Sequence, residues 1–208
     1  MKYTMTSLFR TGLTAAALSF ALLPAHAQDK AEGHDHKNHD HAKHGHHHHG
    51  KHQAFASVKE LVAVLTPTEG NSAKGTLTFT KAEKGGVKIT AKVTGLKPNS
   101  KHAIHIHEFG DIRGADGKMT GGHYNPEGHD HALPDKDVRH AGDLGNLEAN
   151  AEGVAEMVLV VDNVSLVGHK NPIVGRAIIV HAGEDDGGQP TGNAGARITQ
   201  GVIGIAKH

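Results

Sequence analysis

The chain of 208 residues has no cysteine and no tryptophan, and only 3% of its residues are aromatic. Without cysteine it can form neither a disulfide nor a thiolate metal site, so any transition-metal site must be built from imidazole and carboxylate groups. Beyond residue 27 no apolar run reaches the roughly 18 residues that a membrane-spanning helix needs. What the chain does have in excess is histidine, which occurs 21 times.

An excess of charge of one sign is also missing. The whole chain has 22 Lys+Arg and 22 Asp+Glu, and residues 53–208 have 16 and 18, a net charge of −2. Nucleic acids and anionic membrane surfaces attract strongly basic proteins. We therefore expect neither nucleic acid nor a membrane among the partners.

Residues 1–27 are typical of a secretory signal peptide. Lys2 and Arg10 supply the positive region, residues 13–23 supply the apolar region, and Ala25-His26-Ala27 supplies a cleavage site of small residues. We expect the mature chain to begin at Gln28 and to be exported. A bacterial periplasm is the favoured location, and a Gram-positive extracellular setting is the alternative.

Residues 28–52 form a low-complexity tail with four lysines, four acidic residues and no large apolar residue. Such a composition predicts disorder in the absence of metal. We interpret the tail as a metal-capturing segment, with a solvated spacer as the alternative. An affinity tag is excluded because the histidines are irregularly spaced and follow the signal segment directly. The tail histidines are His34, His36, His39, His41, His44, His46, His47, His48, His49 and His52.

The remainder, residues 53–208, is predicted to form one all-β domain. Val87–Val93 alternates apolar and polar residues strictly, which indicates a half-buried strand. Short strands of this kind with glycine-rich turns, and no sustained helical period, indicate an antiparallel sandwich or barrel. Further strands are predicted at 59–65, 76–80, 154–161, 176–180 and 198–205. Residues 109–150 and 182–196 remain as two long loops, and loops of that length are usually functional.

Two histidines separated by one residue, His105 and His107, carry the strongest chemical signal. In a strand they share one face, about 7 Å apart, while Ile104 and Ile106 occupy the other. This pattern predicts a metal-binding edge on a strand that packs against the core.

Five more histidines and one aspartate follow, in the first long loop and directly after a late strand. A single histidine is more often a surface or core residue than a ligand, but together with the strand pair this set predicts a metal site. Gly142 would allow a tight turn that brings His140 and Asp143 to one ion. The candidates are His123, His129, His131, His140, Asp143 and His181.

Six motifs occur in order along the chain: His105–Asp111 (HIHEFGD), Gly122–Pro126 (GHYNP), Arg139–Asn146 (RHAGDLGN), Gly175-Arg176 with Val180-His181, Thr191–Arg197 (TGNAGAR) and Gly201–Ala206 (GVIGIA). Together they resemble the motifs of the copper/zinc superoxide dismutase family, and the resemblance covers residues 56–206.

The resemblance implies an eight-stranded Greek-key barrel that binds copper and zinc and dismutates superoxide. His123 would be shared between the two metals, and His131 fits the family spacing better than His129. Asp185 would link a copper histidine to a zinc histidine, and Arg197 would attract and hold the anion. The family includes monomers and dimers, so a homodimer stays open. The implied copper ligands are His105, His107, His123 and His181, and the implied zinc ligands are His123, His131, His140 and Asp143.

The chain departs from the family pattern in two places. The family disulfide would join positions 117 and 200, which are Gly117 and Gln200 here, and the second long loop has no lysine to steer an anion. These departures keep a second function open, that of an exported copper/zinc buffer or chaperone with little catalysis. A purely structural sandwich would leave the ligand set unexplained.

Overall fold

The computed structural model describes residues 57–207, and the predictions for the signal segment and the tail lie outside that part. Within it, a short 3₁₀ helix, Lys118–Thr120, is the only helix, and no helix is long and apolar enough to cross a membrane. The eight strands are β1 (Glu60–Pro67), β2 (Lys74–Lys81), β3 (Val87–Thr94), β4 (Lys101–His107), β5 (Asp143–Glu148), β6 (Ala155–Val161), β7 (Ala177–His181) and β8 (Arg197–Ile205).

All strand pairs are antiparallel, in the order β5-β4-β7-β8-β1-β2-β3-β6. Strand β8 pairs with both β7 and β1, which joins the two halves of the sheet. The end strands β5 and β6 contact each other, so the sheet nearly closes on itself. This confirms the predicted eight-stranded Greek-key barrel.

The core follows the predicted period of two. In β3, Val87, Ile89, Ala91 and Val93 are buried while the residues between them face solvent. Facing strands contribute the rest of one apolar cluster. Its largest fully buried side chains are Leu61, Leu77, Phe79, Ile89, Ile104, Ile106, Leu144, Leu147, Ile173, Ile178 and Ile203.

One strand lies where a loop was predicted, because β5 occupies the end of the 109–150 segment. Its sequence, DLGNLE, has no β-branched residue, and Gly145 within it has a left-handed φ of 77°. A register shift between Ala103 and His105 accommodates this irregular strand. The second loop was predicted correctly, since β7 ends at His181 and β8 begins at Arg197.

Candidate metal centre

The histidine pair of β4 lies as the alternation predicts. His105 and His107 are 0% and 1% exposed, and their ring centroids are 6.5 Å apart. Ile104 and Ile106, on the other face, belong to the apolar core. The strand therefore presents two imidazoles at the base of the two long loops while its opposite face anchors it in the barrel.

Four histidines converge at this edge to form a first potential metal site. Each offers one ring nitrogen, and these nitrogens lie within 4.8 Å of one another. All four side chains are buried. The four are His105, His107, His123 and His181.

A second potential site shares His123 with the first and adds His131, His140 and Asp143. Asp143 Oδ1 lies 2.9 Å from His123 Nδ1 and 3.2 Å from His140 Nδ1. Its other oxygen, Oδ2, lies 3.0 Å from His131 Nδ1. Three imidazoles and one carboxylate around one point are a donor set that suits tetrahedral zinc.

Backbone pairing explains how a loop residue reaches the strand edge. His123 forms an isolated bridge with His107, and Tyr124 N–H donates to Ile106 O at 2.8 Å. Gly142 N–H donates to Tyr124 O at 2.9 Å, and Gly142 O accepts from Ile106 N–H at 2.9 Å. A Cβ on Gly142 would lie 2.2 Å from Ile106 O. Glycine is required here for close backbone approach, whereas the sequence suggested a tight turn.

The second ring nitrogens of the first site are tied to acceptors. His105 Nε2–H donates to Asp185 Oδ2 at 2.8 Å, His107 Nδ1–H to Gly121 O at 3.0 Å, and His181 Nδ1–H to Gly195 O at 3.1 Å. A neutral imidazole that donates from one nitrogen presents a lone pair on the other.

Those opposite nitrogens are left without partners. His105 Nδ1, His107 Nε2 and His181 Nε2 are buried and have no hydrogen-bond partner in residues 57–207. Buried polar atoms normally find partners, and an unsatisfied one costs about 1–3 kcal/mol. Three orphaned lone pairs aimed at one point therefore fit a bound transition-metal ion.

Burial favours neutral imidazoles in the first site, whereas carboxylates favour positive charge in the second. Burial lowers the pKa of His105 to about 4 and of His181 to about 3, so both rings hold free lone pairs at neutral pH. At His131 burial also disfavours the charge, but Asp143 and Asp185 outweigh it and raise the pKa to about 9. Burial opposes ionisation of Asp143, yet hydrogen bonds from His123 and His131 hold its pKa far below the usual range. The second site thus favours a cation.

Asp185 connects the two sites. Its Oδ2 accepts from His105 and its Oδ1 accepts from His131 Nε2–H at 2.9 Å. Asn146 of β5 fixes its backbone, because Asn146 Nδ2–H donates to Asp185 O at 2.9 Å and Asn146 Oδ1 accepts from Asp185 N–H at 2.7 Å. Gly192 leaves room for the carboxylate, since a Cβ there would lie 2.1 Å from Asp185 Oδ1. Acceptors of this kind orient metal-binding imidazoles.

Arg197, at the start of β8, is half-buried beside the first site. It donates to Gly117 O at 2.7 Å, to Thr120 Oγ1 at 3.0 Å and to Gly121 O at 2.8 Å. Gly121 O therefore accepts from both Arg197 and His107. Burial is the main reason that the pKa of His107 is low, and the positive charge of Arg197 lowers it further.

The structure leaves one candidate outside and brings in residues that the sequence did not reveal. His129 belongs to neither group; its ring lies partly exposed with Nδ1–H directed at Arg139 O, 3.2 Å away. Gln189 was missed: its Nε2–H donates to His131 O at 2.6 Å and its Oε1 accepts from His131 N–H at 3.2 Å. An amide that pairs with backbone leaves no periodic pattern by which it could have been found. The tail histidines lie outside the described residues.

Fold and site together define an antiparallel barrel with two adjoining histidine-rich groups, each of which could hold a metal ion. Comparison with known proteins gives the family: residues 73–203 match copper/zinc superoxide dismutase. The chain belongs to this family. It is also similar to a solved structure, the clock protein EA4, with 39% sequence identity and a TM-score of 0.65, covering 72% of this chain and 96% of that one.

Proposed function

We propose that the protein dismutates superoxide, converting two superoxide ions and two protons into O₂ and H₂O₂. The observation that carries this proposal is the position of His123, which belongs to both four-residue groups. Copper would be held by His105, His107, His123 and His181, and zinc by His123, His131, His140 and Asp143. Copper supplies the one-electron redox chemistry when bound, and zinc, which is redox-inert, supplies charge and geometry.

The chain's own residues would handle the anion and the protons. Arg197 offers a fixed positive charge beside His107, and a guanidinium of this kind attracts and holds a small anion. His123 has Nδ1 directed at Asp143, 2.9 Å away, so its Nε2 is the ring nitrogen that would hold and deliver a proton. The four histidines are buried, which limits the access of water to them.

The barrel alone does not decide the activity. The clock protein EA4 has the same architecture at 39% identity, and one fold supports different functions. A copper/zinc buffer or chaperone that keeps the sites with little catalysis is therefore the second candidate. The two differ in one measurable property, the rate at which the metal-loaded protein removes superoxide.

The test is the decay of superoxide after pulse radiolysis in a metal-loaded chain that lacks residues 28–52 and has been freed of loose metal by dialysis against a chelator. The tail is removed because copper bound to its histidines could itself consume superoxide. We expect a rate approaching the diffusional ceiling of about 10⁹ M⁻¹s⁻¹. His107→Ala should abolish it, while His129→Ala, which removes a loop histidine outside both groups, should leave it unchanged. A rate far below this ceiling, or one that is insensitive to His107→Ala, would refute dismutation at this site and favour the buffer.

We further propose that the chain is exported by residues 1–27 to a bacterial periplasm and that residues 28–52 capture copper or zinc there. Ten histidines in 25 residues support this role. Imidazole binds metal only when deprotonated, so capture should weaken below about pH 6. Deleting residues 28–52 should lower metal occupancy when copper is limiting and leave the rate of the fully loaded protein unchanged. A slower fully loaded deletion variant would contradict this division of roles.

A further inference from the structure

The loop that follows β4 is held against β8 by two side chains three residues apart, Arg197 and Gln200. Gln200 is 5% exposed, and its Nε2–H₂ group donates to Gly114 O at 2.9 Å and to Ile112 O at 3.3 Å. Both acceptors belong to the segment that leads to Gly117. The amide is thus a buried link between the last strand and the first loop.

One polar atom of this amide is left without a partner, which indicates that the fold uses its N–H donors rather than its oxygen. Gln200 Oε1 is buried and has no partner in the described part of the chain. Reversing the amide would place that oxygen against two carbonyl oxygens, so the donor orientation is fixed. An apolar side chain of similar size would avoid the orphaned oxygen but would give up both links to the loop.

The two links lead to Arg197 through a short hydrogen-bond chain. Gly114 O, which accepts from Gln200, also accepts from Gly117 N–H at 3.2 Å. Gly117 O in turn accepts from Arg197 Nη1–H at 2.7 Å. Displacing the 112–114 segment would therefore move the carbonyl that orients the guanidinium.

The backbone geometry and the surroundings of position 117 favour glycine there. Its φ is 75°, a left-handed value that side chains rarely adopt, and a Cβ there would lie 3.3 Å from Arg197 Cδ and 3.4 Å from Thr68 Cγ2. A residue able to form a covalent link at position 117 would be strained and would crowd the arginine. The loop is instead tied by hydrogen bonds from β8.

We propose that Gln200 is a positioning residue that orients Arg197 through the 112–117 segment, in place of a covalent tie. This inference rests on the proposed function only in taking Arg197 as the anion-binding group. It predicts that loss of the Gln200 donor weakens anion binding without touching any metal-binding residue.

The test compares Gln200→Met with Thr199→Val in the full chain. Thr199 is the adjacent buried residue, and its hydroxyl donates to Thr66 O of β1 at 2.7 Å, away from the loop. Both variants remove a buried side-chain-to-backbone bond from β8. Arg197→Ala is the reference variant, because it removes the anion-binding side chain completely.

Two readouts are independent of dismutation. In the zinc-loaded chain, amide hydrogen exchange in peptides covering 110–121 should accelerate at least several-fold in Gln200→Met and not in Thr199→Val. In the copper- and zinc-loaded chain, freed of loose metal, the Kd for azide should rise several-fold in Gln200→Met, approaching that of Arg197→Ala. Equal values in Gln200→Met and Thr199→Val, in either readout, would overturn the inference.

A measurement on the unaltered chain covers the case in which Gln200→Met does not fold. By NMR, the side-chain amide protons of Gln200 should exchange much more slowly than those of an exposed amide; exchange at the exposed rate would overturn the inference. The proposed function can fail separately. A chain without dismutase activity but with Gln200-dependent azide binding would refute dismutation and retain this role for Gln200.

Discussion

Replacing Asp185 by asparagine tests whether the carboxylate between the two sites controls metal binding. Asp185 has 0% side-chain exposure and accepts from His105 Nε2–H at 2.8 Å and His131 Nε2–H at 2.9 Å, one with each oxygen. Asparagine keeps one acceptor oxygen and places an NH₂ group where the other oxygen was. One ring N–H would then face a second donor, so that histidine would lose the bond that orients it.

The expected loss of metal affinity follows from the loss of one hydrogen bond that orients a histidine. Such a change typically lowers metal affinity about 10–100-fold, which is about 1.4–2.7 kcal/mol. Metal that binds only the folded protein adds its binding free energy to stability, so the metal-dependent part of the unfolding free energy should fall by the same amount. At roughly 2–4 °C per kcal/mol for a domain of this size, Tm in the presence of zinc should drop by about 3–11 °C.

The assay is competition against a chelator for zinc and copper, combined with melting curves with and without zinc, in chains lacking residues 28–52 so that tail histidines do not compete. Asp186→Asn is the matched control, because Asp186 is exposed and accepts from Gly188 N–H and Asn193 Nδ2–H₂, and from neither metal group. If Asp185→Asn lowered the metal-free Tm but left both metal affinities unchanged, Asp185 would be a fold contact and the reasoning would be refuted.

Two further predictions concern charge. Arg197→Ala should slow superoxide removal and flatten its dependence on ionic strength, because the fixed charge beside His107 is lost; an unchanged rate-versus-salt curve would remove Arg197 from the steering role. In the metal-free protein, burial lowers the pKa of His105 to about 4 and of His181 to about 3. A histidine in the unfolded chain has a pKa of about 6.5, so below that pH the protein takes up protons when it unfolds. The unfolding free energy should then decrease by up to about 1.4 kcal/mol per pH unit for each histidine between about pH 6 and pH 4, read from urea midpoints, and a flat midpoint over that range would contradict the burial argument.

The local alternation of residues was sufficient to predict the orientation of the strand that carries the site. Strict alternation placed His105 and His107 on one face and Ile104 and Ile106 on the core face, and the structure agrees. Period two fails at β5, where Gly145 and a register shift break the alternation. Alternation also requires that one face of the strand be exposed to solvent, and only Glu148 at the end of β5 is exposed. Its strand character comes from pairing with β4, which no local window contains.

The gathering of loop residues was predictable only through resemblance. No spacing rule brings His123 beside His107, because their bridge depends on the close approach of Gly142 to Ile106. The same limit applies to Gln189 and Asn146, whose amides pair with the backbones of His131 and Asp185. A polar residue that satisfies distant backbone groups resembles a surface residue in the sequence, and only the folded chain shows where its partners are.

These amides give a physical account of how a cysteine-free chain keeps two long loops in place. Backbone groups that are buried in loops need partners, and a carboxamide supplies both an NH₂ donor group and an acceptor oxygen. Asn146 fixes Asp185, Gln189 fixes His131, and Gln200 fixes the segment before Gly117. Each such bond contributes only about 1 kcal/mol, less than a typical disulfide, but none of them depends on the redox state of the compartment. Because Asp185 and Gln189 both lie in the second loop and both hold His131, a cation in the second site and order in that loop should reinforce each other.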